Sequence, residues 1–357
     1  MKTRIYTHPT AQELESLGEQ LRQGALVAIP TETVYGLGAN GLDAEAMARI
    51  YEAKGRPSDN PLILHVPDSE AVRPLVKNIP PIAQTLMDTF WPGPLTITMP
   101  KSDIVPDKAT GGLPNVALRC PDHTLCREFL RAAGVPVAAP SANISGRPSP
   151  TTAEDVYHDM NGKIEAIIDA GPCTIGVEST VVECNEDGVT ILRPGGITEE
   201  MLSKVVGTVR YDAALVGANT IPKAPGMKYK HYAPDAAMTT YVGNVDAVVQ
   251  AIVDQLKTIA PSSTSATDKT KVGLLISEQC WHRMKSQVAT MDFAVKAITY
   301  DSKEPAQSLA KELYSSLLRF NEWNADVIIA EGVSPAGLGT AVMNRMDKAS
   351  AHRVIRV

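Results

Sequence analysis

The sequence predicts an α/β protein of two domains, and three observations carry that reading. Short apolar runs of strand length alternate with amphipathic stretches of helical period along the chain. Alternation of this kind builds a mostly parallel sheet with helices packed on it. It is interrupted at residues 221–234, whose three prolines and one glycine fit neither a helix nor a central strand. At 357 residues with 44% hydrophobic content, there is enough apolar material for a core on each side of that break.

Residues 12–22 read as a first helix, followed by Gly24, and residues 25–30 as a buried strand. Residues 43–53 form an amphipathic helix with Met47, Ile50 and Tyr51 on one side. Asp43 is a good N-cap, and Gly55 and Pro57 stop the helix. Residues 62–66 are a buried strand, so Lys54 and Arg56 sit where a helix hands over to the core. The helix dipole alone would favour cations there. Two prolines, Asp59 and Asn60 beside them make a fixed polar loop the better reading. Upstream, Gly36, Gly38 and Gly41 satisfy G-x-G-x-x-G. A dinucleotide fingerprint needs its first glycine at the strand end, opening directly into the helix. Here residues 31–35 intervene before the glycines and Leu42 and Asp43 after them. A polar turn whose hydroxyls and backbone N–H groups face a ligand is preferred.

Helical pieces follow at 72–76 and 79–90, then a rigid corner at Trp91-Pro92-Gly93-Pro94. Strands at 95–99 and 116–119 are separated by a turn at 111–115. A helix at 124–133 is closed by Gly134, and a strand at 135–139 feeds residues 140–151. That stretch is dense in hydroxyls and proline and has no hydrophobic period, which suits a binding loop on a rigid scaffold. Strands at 164–170, 179–184 and 188–193 and a helix at 198–206 complete the first half. Arg56, Arg119 and Arg193 each stand beside a turn at a strand end or entry. If they converge, their guanidinium forks make an anion pocket suited to carboxylate and phosphate. By position residues 221–234 are a linker, yet Lys228, Tyr229, Lys230, His231 and Tyr232 give it more chemistry than a spacer needs. A second α/β pattern runs from residue 238, with strands at 238–242, 272–276, 293–300, 326–330 and 353–356 and helices at 245–259, 306–320 and 339–349.

Composition narrows the function. Lys and Arg total 34 against 40 Asp and Glu, a net charge of −6. A chain that grips nucleic acid along its backbone is usually basic, so only a local basic pocket for a small anion is expected. The five cysteines, Cys120, Cys126, Cys173, Cys184 and Cys280, have neither CxxC pairing nor zinc spacing, and reduced thiols in the cytoplasm are expected. No apolar run spans a membrane, and residues 1–10 carry no targeting pattern. G-x-x-x-x-G-K-[ST], H-E-x-x-H and G-x-S-x-G are absent. Chemistry must then come from positioning and electrostatics rather than from an evident nucleophile.

Several motifs in order resemble one family. Pro30-Thr31-Glu32-Thr33-Val34-Tyr35-Gly36-Leu37, Lys54-x-Arg56, Pro140-Ser141-Ala142-Asn143-x-Ser145-Gly146 and Arg193-Pro194-Gly195 are similar to those of the YrdC-like threonylcarbamoyl-AMP synthases. Residues 225–234 and the domain after them resemble the long, two-domain form. The resemblance implies a twisted, mostly parallel sheet with a concave positive face at 1–207, a linker at 208–236 acting as an active-site lid, and a smaller Rossmann-like domain at 237–357. It implies synthesis of threonylcarbamoyl-AMP from L-threonine, bicarbonate or carbon dioxide, and ATP with magnesium, releasing pyrophosphate. Other proteins would pass the threonylcarbamoyl group to an adenosine beside the tRNA anticodon.

Carried over residue by residue, Lys54, Arg56, Ser141 and Asn143 would be catalytic and meet the phosphates. Asn60, Asn115, Ser149 and Arg193 would hold the nucleotide, with His231 or Tyr232 near it. Thr33, His65, Arg119, the backbone of Ala139 and Ser179 would hold threonine, with Arg119 on its carboxylate. His65, in the middle of a strand, reads equally well as a core histidine. No acidic pair identifies a metal cage. The alternative is a module that binds tRNA or double-stranded RNA without adenylylation chemistry; the acidic balance and lack of aromatic stacking clusters count against it. A related carbamoyl-adenylating class has longer chains with zinc-finger cysteines, which are missing here.

Overall fold

Local signals set where the elements start and stop, and the computed structural model shows how. It describes residues 2–58, 60–186, 188–216, 231–259 and 269–357. These fall into two compact units, one of residues 1–145 and 149–229, the other of 146–148 and 230–357.

The first unit runs β1 (Arg4–Thr7), α1 (Ala11–Arg22), β2 (Val27–Ile29), β3 (Gly36–Asn40), α2 (Ala44–Lys54), β4 (Ile63–His65), α3 (Pro81–Phe90), β5 (Leu95–Pro100) and α4 (Asp107–Thr110). It continues through β6 (Asn115–Arg119), α5 (Thr124–Ala133), β7 (Val137–Ala138), α6 (Ala153–Met160), β8 (Ala166–Asp169), β9 (Thr180–Asn185), β10 (Gly188–Arg193), α7 (Glu199–Val206) and β11 (Val209–Tyr211). Thr10 and Glu13 form a capping box on α1. Asp43 accepts from the N–H groups of Glu45 and Ala46, and Gly55 ends α2 at φ 61°, a conformation that favours glycine.

The strands make one sheet in the order β1-β8-β2-β3-β7-β4-β6-β5-β9-β10-β11. Five of its ladders are parallel and five antiparallel. Strand β2 shows how the layers form. Ala28 joins a core with Met47 and Ile50 of α2. Val27 and Ile29 join another with Leu17 and Leu21 of α1 and Phe129 of α5. Alternate residues of a strand point to opposite faces, so helices cover this sheet on both.

The structure corrects the sequence reading at the glycines. Gly36, Gly38 and Asn40 lie in β3, antiparallel to β2, and the polar turn shrinks to residues 30–35. That link is too short for a crossover, so the strands must be antiparallel. Gly38 is there for space: a Cβ would lie 2.8 Å from the Val27 carbonyl and 2.9 Å from Val137 Cγ1. The spacing that mimics a dinucleotide fingerprint is thus close packing within a sheet. Helices α4 and α6 were not expected; they are four and eight residues long, too short for a periodic signal. The sheet also runs past residue 207, because β11 pairs with β10. Residues 217–230 lie outside the described residues, and with them about half of the segment expected to act as a lid.

The second unit runs β12 (Ala237–Val242), α8 (Val245–Thr258), β13 (Lys271–Ser277), α9 (Glu278–Val288), β14 (Ala294–Tyr300), α10 (Pro305–Glu322), β15 (Val327–Glu331), α11 (Leu338–Ala349) and β16 (Val354–Arg356). Its sheet order is β14-β13-β15-β12-β16, with every ladder parallel. Helix α9, absent from the sequence reading, starts directly after β13 with Ser277 as its cap. Among the described residues no helix is long and apolar enough to cross a membrane.

The tight fit at Gly38 yields a stability prediction. Gly38→Ala should cost about 1–3 kcal/mol, because backbone rather than a flexible side chain stands in the way. Urea unfolding should show a lower midpoint at unchanged slope; an unchanged midpoint would mean that β2 and β3 can move apart freely.

Candidate active site

The turn between β2 and β3 is built by its hydroxyls. Thr31 Oγ1 lies 2.8 Å from Thr33 Oγ1 and donates to the Val34 carbonyl at 2.6 Å. The N–H groups of Thr33 and Val34 donate back to it. Thr33 then accepts from Arg119 Nη1 at 2.9 Å. Arg119 ends β6 and stands in register beside His65, which ends β4. Arg119 Nη2 lies 2.6 Å from Glu32 Oε2, and its Nε points to the Gly93 carbonyl at 3.4 Å. Both members of the ion pair are buried. Glu32 was not among the expected site residues, although it lies inside the motif that suggested them.

A second group forms at the end of α2. Lys54 Nζ donates to the carbonyls of Ser141 and Asn143 at 2.5 and 2.6 Å. Burial, then the nearby Arg56 charge, holds its ammonium well below the usual lysine range, while Asp159 opposes that shift. Arg56 Nη2 donates to the Pro61 carbonyl at 3.3 Å. The loop carrying Ser141 and Asn143 is stitched to the β2–β3 turn: Ala142 N donates to Tyr35 O, and Tyr35 N to Pro150 O, both at 2.9 Å. Lys54, Ser141 and Asn143 therefore share one framework with Thr33 and Arg119.

A third group lies where β9 and β10 meet. Arg193 donates through Nε and Nη2 to the Ser179 carbonyl at 3.1 and 3.0 Å and through Nη2 to the Ser179 hydroxyl at 3.1 Å. Ser179 Oγ also lies 2.8 Å from Thr96 Oγ1 of β5. One residue back, Glu178 accepts from Ser149 Oγ at 2.6 Å. Gly176 N donates to Thr33 O at 3.1 Å and ties this group to the first. Thr96 and Glu178 escaped the sequence reading. Glu178 adjoins an expected residue, but nothing local marks Thr96.

The remaining expected residues divide. Ala139 N is committed to the Ile63 carbonyl at 2.9 Å. Asn115 lines a recess of about 100 Å³ with the polar Thr98 and Glu183 and the apolar Pro61, Leu113, Pro114, Ala117 and Leu192. Asn60 is buried, and neither atom of its amide has a hydrogen-bond partner among the described residues. His231 and Tyr232 belong to the second unit. There the Tyr232 ring stacks on Tyr314 at 5.3 Å, and the Arg345 guanidinium lies 5.8 Å from its centroid.

The site is buried and rich in polar atoms. Glu32 Oε1 and His65 Nδ1, like the Asn60 amide, are buried without hydrogen-bond partners among the described residues. Such groups are costly unless something completes them, and Glu32 and His65, on either side of Arg119, mark a place for a polar ligand. No thiol competes as nucleophile. All five cysteines are free, and burial raises each thiol, Cys120 to about 11.

Burial, then the Arg119 charge, pushes His65 down to about 3. The unfolded chain protonates first, near pH 6.5, so stability is full above that value and falls as pH drops toward 3. One such group costs about 2 kcal/mol between pH 7.5 and 5. Urea unfolding at both pH values should show a smaller loss for His65→Gln than for the unaltered chain. Equal losses would show that His65 does not titrate as a buried group.

Comparison with known proteins places this geometry. Residues 19–195 match the family model described as telomere recombination. Residues 197–351 match the model for the threonylcarbamoyl-AMP synthase C-terminal domain. The chain is 44% identical over 344 residues to the threonylcarbamoyl-AMP synthase of Pyrococcus abyssi, with 94% of each chain covered. It is 43% identical over 364 residues to that of Bacillus subtilis, with both chains covered in full. The crystal structure of P. abyssi Sua5 complexed with L-threonine matches with a TM-score of 0.89 and 43% identity, covering 99% of this chain and 100% of that one. A buried site of strand-end arginines and hydroxyls, on a fold shared over nearly its whole length with such relatives, means that the chain belongs to the threonylcarbamoyl-AMP synthase family, in its two-domain form.

Proposed function

We propose that this protein is an L-threonylcarbamoyladenylate synthase, making threonylcarbamoyl-AMP from L-threonine, bicarbonate and ATP. The observation that carries the reading is the convergence of Thr33, His65 and Arg119 in one buried cluster, on the framework that also holds Lys54, Ser141 and Asn143. One part suits an amino-acid carboxylate and the other a polyphosphate. The matched relative crystallised with L-threonine supports the first assignment.

The chemistry follows from the residues. The neutral threonine amine attacks the carbon of bicarbonate, and a C–O bond breaks with loss of water, or it attacks carbon dioxide derived from bicarbonate, opening a C=O π bond and giving up an amine proton. Either route forms the N–C bond of a carbamate. A carbamate oxygen then attacks the α-phosphorus of ATP, and the bond to pyrophosphate breaks. Such a transfer needs in-line placement and neutralised phosphate charge more than a protein nucleophile. Arg119, Thr33 and His65 hold the threonine, with Ser179 and the Ala139 backbone completing its pocket. Lys54, Arg56, Ser141 and Asn143 surround the phosphates, and Asn60, Ser149 and Arg193 hold the rest of the nucleotide. Asn115 would meet the base from a recess whose walls are Pro61, Pro114 and Leu192 with the polar Thr98 and Glu183 beside them. Magnesium fits as part of the nucleotide, since the described residues offer no group of three metal-ligating side chains and phosphates with water can supply its ligands. The product would pass to proteins that transfer the threonylcarbamoyl group to tRNA.

Pyrophosphate release from ATP should require threonine and bicarbonate together, and a coupled phosphate assay measures it. Release that ignores threonine would sink the proposal. Threonine amide should be a poor substrate, and Arg119→Lys should lose about 3 kcal/mol of transition-state stabilisation, because an ammonium lacks the planar fork. Equal use of amide and free acid would remove Arg119 from the carboxylate.

A further inference from the structure

The loop that carries Ser141 and Asn143 is gripped from two sides. On one side Lys54 Nζ donates to the Ser141 and Asn143 carbonyls, and the Lys54 carbonyl accepts from Ser145 N at 2.9 Å. On the other, Asp159 Oδ2 accepts from Ile144 N at 3.0 Å. Asp159 comes from α6, and its side chain is 3% exposed. It shares the buried face of that helix with Ala153, Val156 and Met160. An apolar residue is the ordinary occupant of such a position. A buried carboxylate there is costly unless its charge and hydrogen bonds are used. Asp159 uses both. It bonds the loop, and its negative charge supports the Lys54 ammonium, which burial and Arg56 oppose. His158 Nδ1, 3.1 Å from Oδ1, stands on the exposed side and gives the carboxylate a further contact.

We propose that Asp159 is a positioning residue of the phosphate site, acting with Lys54 to set the Ser141 hydroxyl and Asn143 amide before the nucleotide arrives. The two opposite charges hold one short loop between them, from helices that are far apart in sequence. Neither depends on the ligand for its contact with the loop. The geometry therefore pre-organises the phosphate contacts, which lowers the ordering cost of binding. This inference rests on reading Lys54, Ser141 and Asn143 as the residues that meet the phosphates.

Asp159→Asn separates charge from hydrogen bond, because the amide oxygen can still accept from Ile144 N. Calorimetric titration of the full chain with ATP and magnesium, and separately with threonine, provides the test. The Asn variant should bind ATP at least about tenfold more weakly, bind threonine within about twofold of the unaltered chain, and unfold at nearly the same temperature. Asp159→Ala should weaken ATP further. Unchanged ATP affinity in Asp159→Asn overturns the positioning role. So does parallel loss of both ligands with a lowered unfolding temperature, which is the mark of general structural damage. If the unaltered chain binds no ATP, the assignment of the loop fails first, and the role of Asp159 fails with it.

Discussion

The buried ion pair between Arg119 and Glu32 is the constraint on which the site depends. Arg119 lies at the end of a strand and is almost wholly removed from water, with Glu32 2.6 Å away and equally buried. Removing either partner would leave an uncompensated charge in a dry place, which is strongly destabilising. The pair therefore fixes the β2–β3 turn against β6, and with it Thr33. Thr33 O in turn accepts from Gly176 N, which brings the segment before β9 into the same construction. The order of strands in the sheet makes this possible, because β3, β7 and β4 lie between β2 and β6 and bring Ala139 and His65 alongside.

Electrostatics on this scaffold are arranged to receive charge. Lys54 is held by the carbonyl oxygens of Ser141 and Asn143, while burial and the Arg56 charge hold its ammonium below the usual lysine range. Arg193 donates to the Ser179 carbonyl and hydroxyl. Groups held in this way in a buried site need little reorganisation to meet a charged ligand, which is what the proposed phosphate contacts require. That suits a reaction without a covalent enzyme intermediate, and it agrees with a set of cysteines all pushed toward the neutral thiol.

In the second unit, all-parallel pairing buries both faces of the central strands, and Tyr232, Tyr314 and Arg345 are buried beside them. Tyr232, at φ 65°, stacks on Tyr314 with Arg345 beyond, and Arg345 has no exposed surface. A tyrosine that sequence alone marks as a candidate nucleotide contact is, in its own unit, a buried aromatic with a cation against its ring.

The sequence by itself determined the elements whose signals are local. Asp43 and Gly55 bracket α2, and Gly134 closes α5, because caps act within one turn of the backbone they satisfy. It also placed Lys54, Arg119, Ser141 and Arg193 beside turns, since the residues that end an element are neighbours in the chain. Tertiary structure decided the rest. Gly36 and Gly38 became a strand by pairing with Ile29 and Val27 of β2, and Ala139 and Val137 crowd them from another part of the chain. Glu32, Thr96, Glu178 and Asp159 became part of the site through partners 15 to 87 residues away. A buried polar side chain is stable only once its partner is in place, and no periodicity or cap along the chain records which distant residue that partner will be.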